Sequence, residues 1–258
     1  PPFFGFAPQA DLLPRFPSCS FDFVPQADFS TLFPTFFGVA PQAVRLSMTS
    51  DLPIGAGLGG SAALAVALVR ALDSAHALST EEVRLRAHGL EKLAHGNPSG
   101  IDDAVAAYAM PVRYVRGGAP EVLDSADTPR IWVGLTAERT STLQAVAHVS
   151  GLATARPAWF AKLLAEASHI AHEAHGALLG SAWPDLGRLL TRNHALLQSL
   201  QVSTSALDAL VTSALDAGAY GAKLTGGGLG GAAIAICPPG IDLSKVWRSA
   251  GATEVISP

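Results

Sequence analysis

Residues 91–103, EKLAHGNPSGIDD, constrain this chain more than any other stretch. Glu91 stands near the end of one expected helix, and Gly96 breaks it. Asn97 and Pro98 then suit the N-cap and the first position of the next helix. Two adjacent carboxylates, Asp102 and Asp103, fall in the first turns of that second helix, where its dipole favours the ionised form. Helix, tight turn and helix therefore bring three acids into one neighbourhood. A glycine-rich loop, PIGAGLGGSAA (53–63), precedes this run, and another, KLTGGGLGGAAIAI (223–236), follows it.

Composition narrows the setting. Of 258 residues, 49% are hydrophobic and only 15% charged, so there is material for a substantial core and little reason to expect disorder. Mean hydropathy is +0.31. The longest apolar run, Ala62 to Val69, nevertheless falls far short of the ~20 residues that a bilayer crossing needs. The reading is a soluble protein with no membrane partner. Net charge of −4 gives no basic footprint, which excludes nucleic acid as the main partner. Cys19 and Cys237 stand far apart without metal spacing, so a reducing cytoplasm and no disulfide framework are expected. No cleavable signal is visible, and the first residue is Pro1 rather than Met, which leaves the natural start open.

Residues 1–45 hold most of the phenylalanines and an imperfect echo, FGFAPQAD, FDFVPQAD and FGVAPQAV. Such spacing suggests repeated short strands and turns. A strand within 43–52 leads to the first glycine loop and a long helix from Ser61. Ser79 and Glu82 form a capping box for the next helix. Strands are expected at 112–116 and 131–136. Helices follow over 157–179, 182–200 and 204–218, then a strand at 232–237, a short helix at 243–251 and a last strand near 253–257. Helices interleaved with separated strands indicate an α+β fold. A boundary near residue 150 divides the chain into 1–150 and 151–258, with residues 1–45 atypical.

Glycines at 55, 57, 59 and 60, followed directly by a helix, let backbone amides approach a ligand, and the helix N-terminus favours phosphate. No Gly-Lys-Ser/Thr closes the loop, so it is not a Walker motif. A plain strand-to-helix turn is the alternative. Ser61 could cap the helix or ligate Mg²⁺, and Glu91 offers a second hard oxygen. Asp102 could orient a substrate hydroxyl or take its proton. The competing account is that Glu91, Asp102 and Asp103 are solvated surface charge. His169, His172 and His175 rotate around their helix and converge poorly for zinc. His95, beside the turn, is the histidine expected to make a substrate or structural contact.

Taken together, the three segments resemble the GHMP small-molecule kinases over roughly residues 45–256. DLPIGAGLGGSAA is similar to that family's phosphate loop and KLTGGGLGGAAIAI to its C-terminal glycine loop. EKLAHGNPSGIDD is closest to the mevalonate kinase branch. The resemblance implies a two-domain fold: an N-terminal, ATP-binding domain like domain 2 of ribosomal protein S5, and a ferredoxin-like C-terminal domain. It implies transfer of the γ-phosphate of ATP to the C5 hydroxyl of mevalonate, in isoprenoid synthesis. Asp102 would be catalytic. Gly55, Ala56, Gly57, Leu58, Gly59, Gly60, Ser61 and Ala62 would hold the ATP phosphates, and Ser61 and Glu91 the Mg²⁺. His95, Ser99, Gly100, Asp102, Thr142, Gly226 and Gly227 would meet the substrate. A homodimer stays open.

Departures accompany the resemblance, among them Gly60 in place of the first serine of the phosphate loop's pair and Asp103 where Asn or Thr is commoner. The family's first motif, with its lysine, is absent from residues 1–45, and no lysine precedes Lys92. Loss of such a cation implies transfer slower by on the order of 10²–10³-fold unless another replaces it. Leu229 interrupts the last glycine run. The alternatives are another family member, such as phosphomevalonate kinase, or a nucleotide-binding homologue that transfers nothing.

Overall fold

The computed structural model describes residues 3–5, 19–23, 46–50, 53, 56–73, 77–124, 127–138 and 142–258. Strands β1 (Phe3–Gly5), β2 (Cys19–Phe23) and β3 (Leu46–Ser50) come first, then helices α1 (Gly60–Leu72), α2 (Thr80–His95) and α3 (Ile101–Tyr108). Strands β4 (Val112–Tyr114), β5 (Glu121–Val122) and β6 (Ile131–Leu135) precede four helices, α4 (Thr142–Ala155), α5 (Pro157–Leu179), α6 (Trp183–Ser199) and α7 (Ser205–Asp216). The chain closes with β7 (Gly221–Thr225), β8 (Ala232–Ile236), α8 (Ser244–Ser249) and β9 (Glu254–Ile256).

The first three helices pack on one another through small residues. In α1 the buried positions are Ala62, Ala65, Val66 and Val69, the i, i+3, i+4, i+7 stripe of an amphipathic helix. The last three of these meet Val83 and Ala87 of α2 and Ala107 of α3. The capping box of α2 is present: the Glu82 amide donates to Ser79 Oγ and the Ser79 amide to Glu82 Oε2. β1 pairs antiparallel with β4, and β2 with β3. Two of the three N-terminal echoes thus overlap strands; the third, at 37–44, lies outside the described residues.

The start of α3 corrects one expectation. Its N-cap is Gly100, in the left-handed region at φ 86, with no side-chain cap. Asn97 instead accepts a hydrogen bond from Arg116 at Oδ1. Helix α4 is absent from the elements expected above, because Gly151 and several Ser and Thr residues weaken its helical signature.

The C-terminal sheet runs β7-β8-β6-β9, each pair antiparallel. Ala222, Leu224, Ala233, Ala235 and Trp132 line one face and pack on α7 and α8. Trp247 of α8 is fully buried there and donates Nε1–H to the Leu210 carbonyl at 2.8 Å. The opposite face divides in two. Ile236 and Ile131 meet α5 and α6, whereas Leu135, Ala232 and Ile256 meet Ala56 of the first glycine loop. β6 precedes the boundary expected near residue 150 yet is a central strand of this sheet. We therefore propose that any division into two units falls ahead of Ile131, since a cut at 150 would separate hydrogen-bonded strands.

β7 is an edge strand whose outward amides need partners. α6 supplies them: Thr191 Oγ1 accepts from Ala222 N at 3.2 Å, and His194 Nδ1 from Leu224 N at 3.3 Å. Helix and strand come this close because both are glycine at the crossing. A Cβ on Gly221 would lie 1.7 Å from the Gly187 carbonyl oxygen. Gly221→Ala is expected to cost at least the ~3 kcal/mol found at the upper end of core overpacking. Gly176→Ala, in α5 with open space around it, should instead gain about 0.5–1 kcal/mol. Chemical denaturation of the two variants checks both; equal stabilities would contradict the packing described.

Candidate active site

The first glycine loop is built to present bare amides. Gly57 and Gly59 hold φ of 74 and 73, which a side chain would strain, and Gly59 is the N-cap of α1. No acidic residue occupies the first turn of α1. Its opening N–H groups and the positive end of its dipole therefore stay available to an anion. Ala56 is buried and fixes the loop's root against the sheet. Gly55 lies outside the described residues.

The second glycine loop, between β7 and β8, presses on the first. A Cβ on Gly226 would lie 2.9 Å from the Gly57 carbonyl oxygen, and one on Gly57 would lie 3.6 Å from Gly226 Cα. Two backbones thus touch without intervening side chains. Gly226 and Gly227 are exposed at the loop's tip. Leu229 accommodates φ 58 and donates its N–H to the Val202 carbonyl at 2.6 Å, so the interruption of the glycine run is anchored to the start of α7's approach.

The acids separate into distinct roles. Glu91, 7% exposed, accepts a hydrogen bond from Ser61 Oγ at 2.5 Å. His95, one turn further along α2, places Nε2 3.1 Å from the same hydroxyl. Asp103 is 1% exposed and its Oδ2 lies 2.5 Å from His88 Nδ1, tying α3 to α2. The surface-charge account therefore fails for Glu91 and Asp103. Asp102 points elsewhere, as the next residue on a helix must. Its Cβ, Cγ and Oδ1 each lie 3.9 Å from where a Cβ on Gly59 would be. Asp102 as a whole is solvent-exposed. Even so, desolvation by the surrounding protein raises its pKa above the usual carboxylate value, and the charges of Asp103 and Glu91 add to the rise.

The turn between α2 and α3 is held from outside. Arg116 donates through one nitrogen to Asn97 O at 3.0 Å, Asn97 Oδ1 at 2.5 Å and Pro98 O at 3.1 Å. Ser99 Oγ accepts from Ile101 N at 3.3 Å. Gly100 is buried beneath Tyr114, whose hydroxyl oxygen lies 2.6 Å from where a Cβ would sit. Ser99 and Gly100 therefore serve first to set the turn. Thr142 is the first residue of α4.

Sequence reasoning missed His88, Tyr114 and Arg116. A signal for His88 did exist: Arg84, His88, Glu91 and His95 form a polar stripe at helical spacing along α2. Arg84 and Glu91 on that stripe are both buried. His169 and His172 are exposed, and His169 pairs with Glu173 at 3.5 Å.

Ser61 and Glu91 fit a hard cation, because a hydroxyl and a carboxylate already share one hydrogen bond there and both are oxygen ligands. The described residues hold no cluster of three metal-ligating side chains. A Mg²⁺ ion at this point would complete its shell from phosphate oxygens and water, its usual habit.

The model of the GHMP kinases N terminal domain matches residues 29–110, and that of the GHMP kinases C terminal matches 174–254. A mevalonate kinase of Thermococcus onnurineus is 40% identical over 222 residues, covering 83% of this chain. The chain spans 66% of that relative's length, just under two thirds. A mevalonate kinase of Methanothermobacter thermautotrophicus is 33% identical over 221 residues, 83% of this chain and 72% of the relative. The crystal structure of L. major mevalonate kinase in complex with R-mevalonate superposes with a TM-score of 0.77 at 27% identity, covering 88% of this chain and 74% of that one. With two family domains in order and their glycine loops in backbone contact, this α+β chain belongs to the GHMP kinase family.

Proposed function

We propose that the chain transfers the γ-phosphate of ATP to the C5 hydroxyl of mevalonate. The observation that carries the proposal is the placement of Asp102 beside Gly59, 3.9 Å from where a Cβ there would be. It sets a carboxylate against the loop whose amides would hold a triphosphate. The mevalonate kinase relatives supply the substrate. Phosphoryl transfer asks a protein for positioning and electrostatics more than for covalent chemistry, and this site offers both.

In the proposed reaction the amides of Gly57 to Ala62 and the α1 N-terminus hold the phosphates. Asp102 accepts a hydrogen bond from the C5 hydroxyl, aims the oxygen at the γ-phosphorus and takes its proton as the new O–P bond forms. The bond between the γ-phosphorus and the bridging oxygen breaks, and ADP leaves with that oxygen. A carboxylate with a raised pKa is a stronger base for this step. Ser61 and Glu91 would hold Mg²⁺, which when bound neutralises charge on the β- and γ-phosphates. His95 is placed to orient Ser61 through their 3.1 Å contact. Thr142, Gly226 and Gly227 would bound the substrate side. A cytoplasmic setting suits two small water-soluble substrates, and among the described residues no helix is long and apolar enough to cross a membrane.

Asp102→Ala should lower kcat by on the order of 10²–10⁴-fold, while calorimetry shows ATP affinity nearly unchanged. Coupled ADP release with mevalonate, phosphomevalonate, homoserine and galactose in parallel tests the acceptor. Turnover confined to a substrate other than mevalonate would overturn the assignment, and ATP binding with no ADP release from any of them would favour a non-transferring homologue.

Asp102 also has a stability consequence with a definite sign. Its folded-state pKa is raised, so the folded chain holds this proton more tightly than the unfolded chain. The cost of ionising Asp102 is absent below the unfolded pKa and complete once pH exceeds the folded one. Asp102→Ala should therefore melt higher than wild type at neutral pH, with the difference vanishing in acid. A variant that melts lower at neutral pH would contradict the environment described.

A further inference from the structure

Asp102 stands beside Gly59, and the charges of Asp103 and Glu91 act on it. A triphosphate brought there needs positive charge from elsewhere. Strand β7 carries a candidate that the mechanism above leaves unused. Its alternation buries Ala222 and Leu224 against α7 and α8, so Gly221, Lys223 and Thr225 project on the other face. Register sets Lys223 beside Ile234, then Val133, then Ile256. Val133 and Ile256 belong to the cluster that packs on Ala56 and Leu58 of the first glycine loop.

One step along the same face stands Thr225, whose carbonyl oxygen lies 3.8 Å from where a Cβ on Gly57 would be. Two residues of extended strand cover about 6.8 Å, a distance that a flexible four-carbon ammonium stem is suited to bridge. The apolar cluster of Ala174, Ala177, Leu178 and Leu186 covers the other end of this face and offers no counter-ion. Among the described residues Lys223 makes no ion pair. The titratable group electrically linked to it is His194 on α6, itself 3.0 Å from Asp208. Burial lowers the His194 pKa, Asp208 opposes this, and the Lys223 charge adds to the lowering.

We infer that Lys223 is an anion-binding residue of this cleft, its ammonium taking a phosphoryl oxygen of the nucleotide from the sheet side while the α1 amides hold the chain of phosphates from the other. The inference rests on the proposed function. Burial independently depresses the lysine's pKa to about 8, the state of an amine without a counter-ion. A phosphoryl oxygen beside it would restore its affinity for a proton.

Titration calorimetry on the full chain with Mg·ATP, adenosine and mevalonate, for wild type, Lys223→Met and Lys223→Arg, tests the assignment. Lys223→Met should bind Mg·ATP about 10- to 100-fold more weakly, the loss of one charge-assisted hydrogen bond. Adenosine affinity should not change, and Lys223→Arg should recover most of the loss. Near pH 8 wild type should also take up protons on binding Mg·ATP, seen in the dependence of the heat on buffer ionisation, and Lys223→Met should not. If Lys223→Met does not fold, the proton uptake of wild type and the affinity of Lys223→Arg decide. Unchanged ATP affinity and uptake in Lys223→Met overturn the inference. A loss confined to mevalonate overturns it too, by assigning the cation to the carboxylate of that substrate. Wild type that binds no ATP overturns this inference and the proposed function together, whereas wild type that turns over mevalonate beside an unaffected Lys223→Met overturns this one alone.

Discussion

Two backbones meeting without side chains between them is the constraint on which the site depends. Gly57 and Gly226 approach so closely that a single added carbon on Gly226 would meet a carbonyl oxygen at 2.9 Å. That approach joins the α1–α3 helical layer to the C-terminal sheet, and Ala56 buried among Leu135, Ala232 and Ile256 secures it. A phosphate-sized anion could be enclosed on two sides only if both walls are backbone, because a side chain on either loop would occupy the space.

The acidic groups depend on that joint in turn. Burying Glu91 and Asp103 is costly without partners, and each has one: Ser61 for Glu91, His88 for Asp103. Both pairs bridge different helices, so they hold α1, α2 and α3 in register as well as satisfying the carboxylates. Asp102 is left over. It has the charges of the other two behind it and the glycine loop in front, which is the arrangement that raises its pKa and leaves it facing whatever the loop binds. In the proposed reaction the functional group is the member of the acidic cluster that has no such partner among the described residues.

Much of this was legible in the sequence because local chemistry decides it. The Ser79–Glu82 box, Pro157 and the Ala/Val stripe of α1 act within a turn or two, and the helices they mark lie where expected. The convergence of EKLAHGNPSGIDD with two distant glycine loops was also readable, through resemblance rather than spacing. What escaped was non-local. Asn97 has good capping chemistry, but Arg116, nineteen residues along the chain, claims its side chain. β6 reads as an ordinary strand, and nothing in its five residues says that its partners come after residue 230. The glycines at 187 and 221 look unremarkable singly and acquire meaning only as a crossing.

The central claim is spatial, and a crystal structure of the chain with a non-hydrolysable ATP analogue, Mg²⁺ and mevalonate tests it most directly. The account predicts the triphosphate between the Gly57 and Gly226 loops, with the C5 oxygen within the ~2.6–3.2 Å of Asp102 that proton transfer requires. A triphosphate bound away from these loops, or an Asp102 carboxylate facing solvent with the substrate seated elsewhere, would contradict it.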